Sequence, residues 1–102
     1  MTKTTDMAPV RVGYAPVNGL NMYYEVHGEG QPLVLLHGAF SAIGTSFQHV
    51  LPGLAKTRRV IGLEMQAHGH TADIDRALSP EQMADDTVAA LGQLGVEKAD
   101  FF

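Results

Sequence analysis

The sequence predicts an α/β domain, a β-hairpin followed by a parallel β-α-β-α-β run, and three observations carry that expectation. Leu33-Val34-Leu35-Leu36 is an apolar run without polar interruption, bounded by turn residues, as in a strand buried on both faces of a parallel sheet. Apolar strand segments then alternate with helical patterns to the last residue, which calls for crossover connections between parallel strands. Asn18-Gly19 separates two strand-like stretches and is a two-residue hairpin signal, because both residues tolerate positive φ.

In chain order, Val10 to Tyr14 alternates apolar and polar residues and predicts the first strand; Leu20 to His27, with Met22, Tyr23, Tyr24 and Val26, predicts the second. Gly28-Glu29-Gly30-Gln31-Pro32 is a loop by composition. Its G-x-G lacks a third glycine and precedes a strand, so it is no dinucleotide fingerprint. The third strand is Leu33 to Leu36. A helix is expected from Thr45, which with Gln48 makes a capping box, and Phe47, Val50, Leu51 and Leu54 fall on one helical face. Pro52-Gly53 should kink or shorten it. Arg59 to Met65 predicts the fourth strand, leading into the loop Gln66-Ala67-His68-Gly69-His70-Thr71; Asp73 to Leu78 reads as a polar connection. Ser79, Pro80 and Gln82 mark the start of a second helix, with Asp85 and Asp86 early in it. Its buried face is expected at Ala84, Val88, Leu91 and Leu94, and Gly95 ends it. Ala99 to Phe102 predicts a last strand.

With 102 residues, 45% of them hydrophobic, the chain suits one small domain, expected over 10–102 behind a flexible polar segment, 1–9. The formal net charge is −4 and the few basic residues are scattered, which argues against nucleic-acid binding. The first residues lack the apolar core of a secretory signal, and no apolar run approaches membrane-spanning length, so a cytoplasmic chain without membrane partners is expected. With no cysteine there is neither a disulfide nor a thiolate metal site. His68 and His70, with His37 across neighbouring strands, are the one histidine set to weigh for zinc. Their spacing spans a glycine turn and no fixed carboxylate joins them, so no metal and no cofactor is expected.

His37-Gly38-Ala39-Phe40-Ser41 follows the third strand directly, where a glycine turn leaves free backbone N–H groups beyond the strand's carboxyl end. Ligands of open α/β sheets sit there, and such donors can hold a developing negative charge. The stretch Leu33 to Phe40, the loop His68-Gly69-His70-Thr71 and the closing Gly95 to Phe102 resemble the amino-terminal part of the α/β-hydrolase fold family, over about Val17 to Phe102. The resemblance implies a strand order of first, second, fourth, third, last. It implies that Ala39 gives its backbone N–H to an oxyanion hole and that Phe40 lines the pocket of a small-molecule substrate. His37, Gly38, Glu64, His68 and Gly69 then support the two loops, His37 through its ring and Glu64 by accepting backbone N–H bonds.

Where the family's fourth-strand loop commonly reads D-x-R-G-H-G-x-S, this chain has Glu64-Met65-Gln66-Ala67-His68-Gly69-His70-Thr71, without the arginine and one glycine. The family's nucleophile, in G-x-S-x-G or its Asp or Cys equivalent, follows the strand that here ends at Phe102, and its acid and catalytic His come later still. The implied function is therefore half of an oxyanion hole in a hydrolase of esters or related bonds, inactive alone. Two alternatives stand beside it: a subunit completed by a partner chain, and a non-catalytic module that binds a small ligand. An uncovered last strand would favour self-association or a carboxyl-terminal complement.

A chain terminus inside an apolar strand leads to the first prediction. Sequencing past codon 102 is expected to find an open frame running into Gly-x-Ser-x-Gly within a few residues; a stop codon or a long polar tail would contradict it.

Overall fold

The computed structural model describes residues 11–36, 49 and 51–101. Five strands form one mixed sheet. β1 (Arg11–Val17) and β2 (Leu20–His27) make the expected antiparallel hairpin, in register from Arg11↔Val26 to Val17↔Leu20. Its turn places Asn18 at φ 50° and Gly19 at φ 83°, the twist that a two-residue connection needs. β3 (Gln31–Leu36) and β4 (Arg58–Leu63) pair in parallel, from Gln31↔Arg58 to Leu36↔Leu63. β4 also pairs antiparallel with β2, and β5 (Asp100–Phe101) lies parallel to β3. The order β1-β2-β4-β3-β5 is the one expected. Pro32 is accommodated near the start of β3, where β5 does not reach, since β5 pairs only with Leu33 and Val34.

Side-chain alternation divides the core between the two faces of the sheet. Met22, Tyr24, Val26, Val34, Ile61 and Leu63 pack with Ala90, Leu91 and Leu94 of helix α2 (Pro80–Gln93). Leu33, Leu35 and Val60 pack with Leu51, Leu54 and Ala55 of helix α1 (Leu51–Ala55). The Thr45 start expected for the first helix lies outside the described residues. Its described part runs through Pro52-Gly53 and ends at Ala55.

Helix α2 starts as its sequence predicts, with Ser79 Oγ accepting from Gln82 N at 3.1 Å. The capping box is only half formed, because the Gln82 side chain donates to Asp86 instead. Gly95, at φ 75°, ends the helix as expected. The buried face differs from the expected one. Leu91 and Leu94 are buried, but Ala84 is exposed and Val88 is 69% exposed, while Asp86, Thr87 and Ala90 face inward. The cause is a polar contact that hydrophobic periodicity does not register. Arg76 draws the Asp86 carboxylate under the helix, and the face 86-87-90-91-94 turns in with it.

Gly28 connects the hairpin to β3 at φ 72°, and a Cβ there would run into the carbonyl groups of Ala55 and Arg58. Backbone atoms of a helix end and a strand cannot swing aside as a side-chain tip can. Gly19 has a similar φ but open space around it. Gly28→Ala is therefore expected to lower the urea midpoint by more than Gly19→Ala, whose cost is the left-handed backbone alone, about 1–3 kcal/mol. Equal losses would show that the α1–β4 junction yields.

Candidate functional site

Parallel pairing of Leu36 with Leu63 brings the carboxyl ends of β3 and β4 to one edge of the sheet. The ends of β3 and β4 therefore lie side by side. His37, Gly38, Ala39 and Phe40 lie outside the described residues. Glu64, His68 and Gly69 belong to the β4 loop, and the structure brings Glu64 and Gly69 together with His70.

Glu64 is a buried carboxylate at the root of this loop. Its Oε1 accepts the backbone N–H of His70 at 2.7 Å and lies 3.0 Å from His70 Nδ1. Gly69, at φ 55°, lies so near that any Cβ would overlap the Glu64 carboxyl, so the glycine and the acid require each other. Glu64 thus holds the turn of the β4 loop through the His70 amide. Thr71 sews the loop to β2, its hydroxyl donating to Glu64 O at 2.7 Å and accepting from Tyr23 N at 2.9 Å. Ala67 stands where a glycine would be relaxed, at φ 68°. The Nδ1–H of His68 donates to Gln66 O at 2.9 Å, which fixes that ring's tautomer.

A row of ionisable groups runs along β2 on the same side as Glu64. Tyr23 donates to Glu25 at 2.7 Å, and His27 Nε2 meets the other Glu25 oxygen at 2.8 Å. The His70 ring stacks on Tyr23 with centroids 4.1 Å apart. The hydrogen bond from His27 holds the Glu25 carboxyl below its ordinary range against the opposing effect of burial. Burial, then the hydrogen bond to Glu25 and its charge, push the Tyr23 hydroxyl up, so it stays a protonated donor. Among the described residues, no group of three or more His, Asp or Glu side chains converges as a metal site.

The sequence reading missed the polar centre behind the loop. Gln66, 1% exposed, donates to Asp73 at 2.7 Å and to Arg76 O at 2.9 Å, and its Oε1 accepts from Arg76 Nε at 2.8 Å. Arg76 Nη2 also donates to Asp86 at 2.7 Å. Burial alone would raise the Asp86 carboxyl, but hydrogen bonds from Arg76, Asn18 and Gln82, with the charge of Arg76, hold it below its ordinary range. Asp73 to Leu78 read as a polar connection; its arginine and aspartate are parts of this centre. The available signal was Gln66 itself, an amide where the loop pattern commonly has a cation.

No family model matches the chain. By sequence it is similar to the soluble epoxide hydrolase of Corynebacterium sp. (strain C12), 32% identical over 84 residues, covering 82% of this chain and 29% of that enzyme. It is 36% identical over 88 residues to the dihydrolipoyllysine-residue acetyltransferase component of the acetoin cleaving system of Pseudomonas putida, covering 83% of this chain and 23% of that protein. In structure it is similar to the enol-lactonase from Burkholderia xenovorans LB400, with a TM-score of 0.79 and 26% identity over 86% of this chain and 35% of the lactonase. The chain thus spans about a quarter to a third of the length of these proteins.

Asp86 and Glu25 both have carboxyls depressed by native contacts, so each stabilises the fold fully above its unfolded pKa, near ~4, and loses that contribution as pH falls through the lower folded value. Asp86→Asn is expected to lower the urea midpoint at neutral pH and to flatten its fall in acid. An acid limb as steep as the parent's would remove Asp86 from this account.

Proposed function

We propose that this chain, which has the fold of the amino-terminal part of the α/β-hydrolases and counts hydrolases of that fold among its relatives, supplies the oxyanion side of a hydrolase site for esters or related bonds of small molecules. The observation that supports the reading most is the side-by-side placing of the carboxyl ends of β3 and β4, with His37-Gly38-Ala39 directly following β3. When a nucleophile adds to a carbonyl carbon, the oxygen gains negative charge, and an N–H aimed at it lowers the barrier. Ala39 provides that N–H and Phe40 an apolar wall for the substrate. The second N–H, the nucleophile, the acid and the base come from the remainder of the fold. Glu64 and Gly69 hold the neighbouring loop in a fixed shape. An epoxide hydrolase and an enol-lactonase among the similar proteins suit electrophilic small molecules as the substrate class.

Val88, Leu91, Val96, Ala99 and Phe101 line an open apolar groove of about 240 Å³ beside β5. We propose that the groove and the β5 edge receive the remainder of the fold, and that residues 1–102 alone associate with one another through this edge.

The test compares residues 1–102 with the completed protein in p-nitrophenyl acetate hydrolysis and size-exclusion elution. The shorter chain is expected to be inactive and oligomeric, and a carboxyl-terminal fragment from the same gene to restore turnover and a defined size. In the completed protein, Ala39→Pro should cut kcat by about 100-fold or more, with the fold checked by circular dichroism. Turnover by purified, monomeric residues 1–102, or wild-type kcat in a folded Ala39→Pro variant, would overturn the proposal.

A further inference from the structure

The guanidinium of Arg76 lies where three separate parts of the chain meet. It donates through Nε and Nη2 to the amide oxygen of Gln66 in the β4 loop, at 2.8 and 2.5 Å. Through Nη2 and Nη1 it reaches both oxygens of Asp86 on α2, at 2.7 and 3.3 Å. Nη1 is also 3.4 Å from Asn18 O at the hairpin tip, and Asn18 Nδ2 donates to Asp86 at 3.0 Å. Asp86 and Gln66 are each 1% exposed, so this is no solvated surface pair. The Gln66 Nε2 group is already engaged by Asp73 and the carbonyls of Ile74 and Arg76, so the amide oxygen and the Asp86 carboxylate meet as acceptors that need a donor between them. Two acceptors are brought together by one planar cation, which offers parallel donors that an ammonium cannot.

The loop beyond Gln66 has backbone strain to contain at Ala67, a non-glycine residue at φ 68°. Thr71 ties it to β2, Glu64 holds it through the His70 amide, and Gln66 ties it to the Asp73–Arg76 connection and, through Arg76, to Asp86 of α2. We infer that Arg76 is a positioning residue that sets the shape of the β4 loop through Gln66, with Asp86 as its anchor, taking from the connection the cationic place that position 66 leaves empty. The guanidinium sits immediately beyond the Gln66 amide in the direction of Asp86. A longer side chain at 66 with its own guanidinium is therefore expected to reach the same anchor.

The structural part of this inference stands without the hydrolase reading; its effect on turnover rests on that reading. The test uses the complete protein, with amide hydrogen exchange as the primary readout and ester hydrolysis as the second. Arg76→Gln is expected to speed exchange of the His68, His70 and Thr71 amides at least tenfold while Ala90 to Leu94 of α2 keep their protection. If the ester is a substrate, kcat should fall more than KM rises. Arg76→Lys should behave like Arg76→Gln, whereas Arg76→Gln combined with Gln66→Arg should regain loop protection. If Arg76→Gln does not fold, recovery of the fold on adding Gln66→Arg supports the inference equally. Wild-type loop exchange in folded Arg76→Gln, loosening of α2 to the same extent as the loop, or no recovery in the double variant would overturn it. Absent ester turnover with the expected exchange pattern would count against the hydrolase reading and leave Arg76 in its place.

Discussion

Val34 and Leu35 are neighbours in β3, point to opposite faces of the sheet, and are both completely buried. A strand of that kind cannot exist at a surface. It needs a strand on either side and a cover above and below, and most of this architecture meets that demand. β4 and β5 flank β3, α1 closes the face of Leu33 and Leu35, and α2 closes the face of Val34. Each fully buried aliphatic side chain contributes roughly 1.5–3 kcal/mol relative to exposure. The layered arrangement is therefore decided by a few residues of β3 and β4. Because β3 and β4 run parallel, their connections depart from one edge, and the candidate chemistry is confined to that edge.

Covering the sheet brings polar groups inside, and how they are satisfied determines the loops. Glu64, Gln66, Thr71 and Asp86 are buried, and each has named partners. Leaving one such group unpaired costs about 1–3 kcal/mol, and more when it is charged. The β4 loop is consequently held by specific bonds, although it has no regular secondary structure. A carboxylate under its glycine turn and an amide at its start are each answered by a specific donor.

The same reasoning separates the two halves of the proposed site. An oxyanion donor on a backbone N–H needs a rigid frame more than a particular side chain, and the sheet edge with its braced loop is such a frame. A nucleophile and its base need side chains instead, and the chain spans only about a quarter to a third of the length of the similar proteins.

The sheet was legible in the sequence because strand signals are local. The apolar run of β3, the Asn18-Gly19 turn and the Ser79 cap each express their structure through immediate neighbours, and the parallel order followed from their sequence together with the family resemblance. The contact of Glu64 with Gly69 and the His70 amide is likewise a local device, formed within six residues. Asp86 was not legible in that way. On the sequence it is one of two adjacent acids early in an amphipathic helix, indistinguishable from exposed Asp85. It is buried where Arg76, ten residues before it, and Asn18, sixty-eight before it, both donate to its carboxylate. Hydrophobic periodicity put Val88 inside and Asp86 outside, and the fold reversed them. Periodicity records only the free energy of removing apolar surface from water. Whether a charge can also be buried depends on partners that arrive from elsewhere in the chain, and only the tertiary structure supplies those.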